Sequence, residues 1–256
     1  MDLVCNPKLG DGYKRRSQMA RAITENWFER EVYCLACTSK HLQATRSGTP
    51  FTDFFCPKCG QPYELKSAAR VHGDIVTDGG YDSMMRKIQE PPAPALMLAH
   101  YSPHWCIEGL LAIHPVFLIP EVVRKRGKPH IRPKTRQDYW MCDFNLAFVP
   151  ADGRIALVKN GTVSSASKVR QLYKESMRFA ELSEKKRGWA ALVLAAVRKI
   201  GKPEFTLAEV YAFEQEMRAA YPQNSHVRDK IRQQMQVLRD LGYLEFTGRG
   251  EYRAVR

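Results

Sequence analysis

Apolar residues recur at four-residue spacing through Met19, Ile23 and Trp27, which predicts a helix over residues 17–33 with Ser17 as its cap. A polar loop over residues 38–50 follows, then two strand-like segments at 51–55 and 63–66. Gly79-Gly80-Tyr81 opens a short helical segment reaching Ile88, and Pro91-Pro92-Ala93-Pro94 ends it. Three apolar runs, 95–100, 107–113 and 116–119, fit buried strands of a mixed sheet. Residues 124–140 read as a basic loop punctuated by prolines. Segments 155–159 and 162–163 pair as a hairpin across Asn160-Gly161, and 169–182 is helical.

A second, complete pattern starts beyond the charged stretch Glu184-Lys185-Lys186-Arg187. Residues 189–200 form an apolar-rich helix stopped by Gly201. Thr206-Leu207-Ala208-Glu209 is a capping box that opens a helix reaching Ala220. Ser225 caps a third helix with Val227, Ile231, Leu238 and Leu241 on one face. Two strands, 243–247 and 251–255, join through Gly248-Arg249-Gly250. Three helices and then a hairpin is the order of a winged helix. The expected organisation is an α/β domain over 1–182 and a winged-helix domain over 183–256.

Composition narrows the partner. The chain of 256 residues has a formal net charge of +13, which suggests a polyanion, with nucleic acid first. No run approaches the ~18 apolar residues of a membrane span, and no basic helix has a strongly apolar face. The first residues lack a basic segment followed by an apolar one, so the expectation is a cytoplasmic protein with reduced cysteines.

Four of the seven cysteines are patterned. Cys34-Leu35-Ala36-Cys37 and Cys56-Pro57-Lys58-Cys59 are separated by eighteen residues, a spacing that suits one four-thiolate zinc site. Two residues between thiolates let a tight turn aim both sulfurs at one ion, and four thiolates leave no open position. The zinc is therefore expected to be structural. Cys5, Cys106 and Cys142 are scattered, and packing or inert surface is their default.

The second knuckle sits between Asp53 and Glu64-Leu65-Lys66. On a strand, Glu64 and Lys66 share a face. If the knuckle folds the hairpin back, Asp53 joins them, and two carboxylates can hold Mg²⁺. Such an ion polarises a phosphodiester, while Lys66 orients the attacking water and stabilises developing charge. Glu-x-Lys alone carries little weight, since Glu184-Lys185-Lys186 repeats it as a solvated cluster. Strand context, the preceding Asp53 and the downstream winged helix lift it. Glu25 is a possible further carboxylate, or an ordinary helix-surface residue.

Thr24-Glu25-Asn26-Trp27, the paired knuckles, Asp53 with Glu64-Leu65-Lys66-Ser67, and Asp78-Gly79-Gly80-Tyr81 together resemble the DpnI family of restriction endonucleases. The likeness resumes at 136–140 and Arg187-Gly188-Trp189. It is strongest at Glu204-Phe205-Thr206-Leu207, Lys230-Ile231-Arg232-Gln233-Gln234, Leu238-Arg239-Asp240 and 246–252. The resemblance implies a PD-(D/E)XK nuclease core with structural Zn²⁺ and a C-terminal winged helix. It further implies cleavage of double-stranded DNA at GATC sites carrying N6-methyladenine, with both domains reading the mark. By the same resemblance, Asp53 and Glu64 bind Mg²⁺ and Lys66 is the catalytic lysine. Thr52 stands where the motif has proline, a position that binds no metal.

For DNA reading, the start of the recognition helix nominates Asn224, Ser225, His226, Arg228, Asp229, Arg232 and Gln233, and the wing nominates Arg249. Arg124, Lys125, Arg126, Lys128, Arg132, Lys134 and Arg136 form a basic arm suited to phosphates, with Trp140 at its end, against a methyl group or in the core. Burying one methyl is worth roughly 0.8 kcal/mol, about fourfold in affinity. Two methyls each read by two domains give about 3 kcal/mol, so double reading is a route to selectivity. A monomer in solution is expected. The competing reading is a noncatalytic zinc-plus-winged-helix transcription regulator.

Overall fold

The computed structural model describes residues 1–46, 48–49, 51–133 and 135–255. Ser47 and Pro50 of the polar loop, and Lys134 of the basic arm, lie outside the described residues. Helix α1 (Arg16–Glu31) buries Ala20, Ile23, Thr24, Trp27 and Phe28, the stripe its apolar spacing predicts. It starts one residue before Ser17, which falls inside the first turn, and Arg15 at the N-cap makes no side-chain capping bond.

Strands β1 (Gln43–Ala44), β2 (Phe54–Phe55) and β3 (Pro62–Ala68) form an antiparallel meander. Next come β4 (Ile75–Gly80), α2 (Tyr81–Gln89), β5 (Ala95–Tyr101) and β6 (Ile107–Ile113). The first part closes with β7 (Val123–Ile131), β8 (Asp138–Asn145), β9 (Arg154–Lys159), β10 (Thr162–Val163) and α3 (Ala166–Ser176). Among the described residues the main sheet has the order β1-β2-β3-β5-β6-β9-β10. It is mixed, as expected: β3 and β5 run parallel and the other pairs antiparallel. A parallel pair needs a crossover, and β4 with α2 supplies it.

The register of β3 fixes the faces. Tyr63 and Leu65 pack with Trp27, Met97 and Tyr173 on the α1 side. Glu64 lies beside Leu96 and Lys66 beside Leu98, whose side chains belong to the opposite core. Both faces of β3 are thereby covered, and Glu64 is buried along with its apolar neighbours.

Three expectations fail for identifiable reasons. Run 116–119 is buried but forms no strand: Pro115 and Pro120 each open a 3₁₀ turn, at Pro115–Phe117 and Pro120–Val122. The basic loop 124–140 is largely a hairpin, β7 against β8, in a second sheet of order β4-β8-β7. Pro129 is tolerated because the register shifts between Arg126 and His130, where no ladder donor is required. Segment 51–55 is paired at Phe54–Phe55, while Phe51 takes a left-handed φ of 51°.

Helix α4 (Glu184–Ile200) absorbs the charged stretch as its first turn and ends at Gly201 in the left-handed conformation. Ten consecutive residues, Gly188 to Val197, are buried, so this helix is enclosed on every side. Its core is continuous with Phe117, Leu146 and Phe179 before it and with Val210, Ile231 and Leu238 after it. Then come β11 (Glu204–Thr206), α5 (Leu207–Tyr211), α6 (Glu214–Ala220), α7 (Val227–Asp240), β12 (Leu244–Gly248) and β13 (Glu251–Ala254). The Thr206–Glu209 capping box is present, but the helix it opens breaks at Ala212 and Phe213 instead of running to Ala220. Ser225 does not cap α7; the Asn224 side chain accepts from the His226 amide at 2.8 Å instead. No described helix is long and apolar enough to cross a membrane.

Candidate active site and metal centre

The two cysteine knuckles close on each other. Cys34 Sγ lies 3.6 Å from Cys59 Sγ, and Cys37 Sγ 3.6 Å from Cys56 Sγ; all four sulfurs fall within 4.8 Å of one another. A tetrahedron with metal–sulfur bonds of about 2.3 Å has edges of about 3.8 Å, so this sulfur set has the size a thiolate zinc site needs. Local geometry prepares it. Gly60 takes φ 75°, its amide donates to the Cys56 carbonyl, and the Cys56 amide donates to Gln61 O. Burial raises the Cys34 thiol, whereas backbone amides of Cys59 and Lys58 overcome burial and bring Cys56 down to about 7.

Neighbours hold the knuckles from outside. The Tyr63 hydroxyl sits 3.2 Å from Cys34 Sγ and accepts from the Leu35 amide at 2.9 Å. The Arg170 guanidinium donates to the carbonyls of Cys34 and Ser39, tying α3 to the first knuckle.

On the other face of β3 the predicted Asp53, Glu64 and Lys66 come together. Asp53 Oδ2 accepts from the Leu65 amide at 2.9 Å, and the Asp53 amide donates to Tyr63 O, so the knuckle does fold the hairpin back. Lys66 Nζ lies 2.6 Å from Glu64 Oε1 and 2.7 Å from Asp78 Oδ1. Asp78, on β4, is a buried carboxylate that residue spacing did not single out. Its only signal in the sequence was the matched stretch Asp78-Gly79-Gly80-Tyr81.

Asp53, Glu64 and Asp78 line an open cleft of about 870 Å³ with Arg21 and Glu25. A recess of about 210 Å³ opens onto Asp53, Glu64 and Lys66. Arg21 pairs with Glu25 at 2.5 Å and reaches Asp53 at 3.5 Å. Burial pushes the Glu64 carboxyl up to about 7; Lys66 opposes this, while Asp53 and Asp78 add to it. Burial also works against the Lys66 ammonium, but Asp78 and Glu64 outweigh it and hold its pKa above the ordinary lysine value. Glu25 is raised, chiefly by burial.

These residues fit a hard divalent cation. Glu64 Oε2 is buried with no hydrogen-bond partner, and carboxylates crowd one cleft wall. Mutual repulsion of that kind is relieved by a metal with oxygen preference.

The nominated DNA-facing residues are distributed over three places. Ser225, His226, Arg228, Arg232 and Gln233 are exposed at the start and outer face of α7, and Asn224 is half-buried before it. Arg228 is engaged by Glu214 at 2.7 Å and lies over the Tyr211 ring. Gln233 accepts from Lys230. Arg249 is exposed at the β12–β13 turn, and among the described residues neither it nor Arg232 has an ion pair. Arg136 is exposed in the β7–β8 turn with φ 56°. Trp140, on β8, is half-buried beneath the Lys125 ammonium, 4.1 Å from its ring centre, with Tyr81 flanking the same ammonium at 5.1 Å.

Comparison with known protein families places both parts of the chain. Residues 1–182 match the family described as DpnI, Dam-replacing, and residues 185–254 match the Dam-replacing helix-turn-helix domain.

Proposed function

Because the chain belongs to the DpnI, Dam-replacing family and ends in that family's helix-turn-helix domain, it is a DNA-acting protein of methyl-directed restriction type, and we propose that it cleaves double-stranded DNA at GATC sites carrying N6-methyladenine by Mg²⁺-dependent hydrolysis. The observation that carries the enzymatic part is the cluster of Asp53, Glu64 and Lys66 on one cleft wall, with an unpartnered buried Glu64 oxygen. A PD-(D/E)XK-type centre uses the same three groups.

In this reading Asp53 and Glu64 hold Mg²⁺. What the ion supplies when bound is positive charge against the phosphate oxygens. Lys66 orients the attacking water and donates to the oxygen on which negative charge develops. Its pairing with Asp78 and Glu64 keeps the ammonium charged throughout. Arg21 and Glu25 shape the cleft wall beside Asp53. The four cysteines hold structural Zn²⁺, which fixes the hairpin bearing Asp53 and Glu64.

Arg232, Gln233, Asn224, Ser225, His226 and Arg249 read or grip DNA from the winged helix, with Arg228 freed from Glu214 on binding. Arg136 and the arm track phosphates, and Trp140 offers an apolar ring for a methyl group or sugar. Domains 1–182 and 183–256 act on one site, as a monomer in solution.

Plasmids with and without GATC adenine methylation, incubated with Mg²⁺ or with EDTA, test the reading. Cleavage is expected for the methylated plasmid with Mg²⁺ alone. No cutting of methylated DNA defeats the enzyme assignment, and equal cutting of both plasmids defeats the methyl specificity.

A further inference from the structure

Asp78 occupies a place that the three-residue centre leaves unexplained. Its side chain is 2 % exposed, and its Oδ1 receives both Lys66 Nζ and the Gly79 amide at 2.7 Å. The β4–β8 register shifts between Thr77 and Gly80, so Asp78 and Gly79 leave the ladder where the carboxylate meets β3. Gly79 has no side chain to interfere: a Cβ there would stand 3.1 Å from the Phe51 ring, which packs against it. Asp78 therefore joins the three-stranded sheet to Lys66 on the main sheet through a buried, charge-assisted contact.

Glu64 has two demands on it. Oε1 holds Lys66, while Oε2 is unpaired at the cleft. A carboxylate drawn to a divalent cation attracts an ammonium less strongly, and a lysine stem of four carbons is flexible. We propose that Asp78 is a positioning residue, the anchor that keeps the Lys66 ammonium at the reaction centre while Glu64 serves the metal. The inference rests on the nuclease reading of this site. Asp78 Oδ2 is buried without a hydrogen-bond partner, as Glu64 Oε2 is, but its Oδ1 is held by two donors; the proposed role is to act through Lys66, and a shifted Mg²⁺ requirement would mark Asp78 as a ligand instead.

Single-turnover cleavage of a methylated GATC duplex with Mg²⁺ is measured for wild type, Asp78→Asn, Lys66→Ala and the double variant. Asp78→Asn should lower the rate at saturating enzyme by about a hundredfold, as for a misplaced group. DNA affinity, zinc content and the half-saturating Mg²⁺ concentration should be unchanged. In the Lys66→Ala background the same substitution should cost nothing further. Asp78→Glu, which keeps the charge on a longer stem, should recover part of the rate. If Asp78→Asn fails to fold, Asp78→Glu with and without Lys66 carries the same test: it should slow the reaction where Lys66 is present and leave it alone where Lys66 is absent.

The same fractional loss in both backgrounds, a shifted Mg²⁺ requirement, or a wild-type rate in Asp78→Asn would each overturn the proposal while leaving the nuclease reading intact. A wild-type protein that cuts no methylated DNA would overturn both.

Discussion

Tyr63 and Glu64 are adjacent on one strand and serve opposite faces of it: the Tyr63 hydroxyl lies 3.2 Å from Cys34 Sγ, and Glu64 Oε1 lies 2.6 Å from Lys66 Nζ. The sulfur cluster and the carboxylate centre are thus two sides of a single stretch of backbone. Any disturbance of the knuckle that rotates β3 also moves Glu64.

If the four cysteines hold zinc as proposed, its loss is expected to act on folding first. Cys56→Ser should lose zinc by elemental analysis and lower the unfolding temperature, with activity falling in parallel. A variant that keeps its unfolding temperature and cuts at the wild-type rate would separate the knuckle from the hairpin that bears Asp53 and Glu64. Tyr63→Phe is the milder probe. It leaves the buried Leu35 amide unsatisfied, a loss of about 1–3 kcal/mol in denaturant unfolding, with zinc still bound.

Lys66→Ala should behave in the opposite way. The sulfur set does not involve Lys66, so the variant should keep its zinc and its fold, at a cost in stability because Glu64 and Asp78 lose the ammonium between them. It should bind methylated DNA as wild type does, while cleavage falls about a hundredfold to a thousandfold. Fluorescence anisotropy with a labelled duplex, beside a cleavage time course, measures both. Weakened binding comparable to the lost rate would place Lys66 in DNA recognition instead.

The Glu64 carboxyl, raised by burial from 4.5 to about 7, links stability to pH. A carboxyl whose folded pKa lies above its unfolded value stabilises the fold below 4.5, and that contribution is lost as pH rises through about 7. His114 has the other sign: burial depresses it to about 3, so its contribution is present above 6.5 and is lost as pH falls. Comparing wild type with Glu64→Gln isolates the first effect. Without metal, the stability of wild type relative to that variant should decline from pH ~5 to pH ~8. Added Mg²⁺ should reverse the decline most strongly at the alkaline end, because a metal ligand must be ionised. A pH-independent difference between the two proteins would remove Glu64 from this role.

At the start of α4, Gly188 is packed beneath two side chains from different parts of the chain. A Cβ there would meet Tyr221 Oη at 2.5 Å and Glu121 Oε2 at 2.9 Å. The Tyr221 ring is stacked on Trp189, 4.1 Å between centres, and has little room to swing aside. Overpacking costs about 1–3 kcal/mol, against a gain of about 1 kcal/mol for Ala over Gly in a helix. Gly188→Ala should therefore destabilise by up to about 2 kcal/mol in denaturant titration. A higher midpoint would show that Tyr221 yields.

Local motifs were legible in the sequence because their chemistry is local. The knuckles need two-residue spacing, and the pairing of Glu64 with Lys66 follows from strand periodicity. The Asn160-Gly161 turn and the Gly201 stop also follow from short-range backbone preference, and both are present. Asp78 was not legible, since its meaning comes from a contact between two sheets twelve residues apart in sequence. The β7–β8 hairpin was hidden by its prolines and charges, which suggest a loop until a register irregularity accommodates them. Helix α4 was read as starting at Trp189 because its exposed first turn is highly charged, although Glu184 opens it.

That helix also decides how the DNA-reading end can be exchanged. Eight of its enclosed residues, Trp189 to Leu194 with Ala196 and Val197, belong to one core that contains Phe117 and Phe179 as well as Ile231 and Leu238 of α7. A cut at 182 would strip cover from the core of residues 1–182, so the C-terminal part is not a detachable cassette. New sequence preferences are better sought by grafting side chains onto α7 and the Arg249 turn, with α4 left as the common beam.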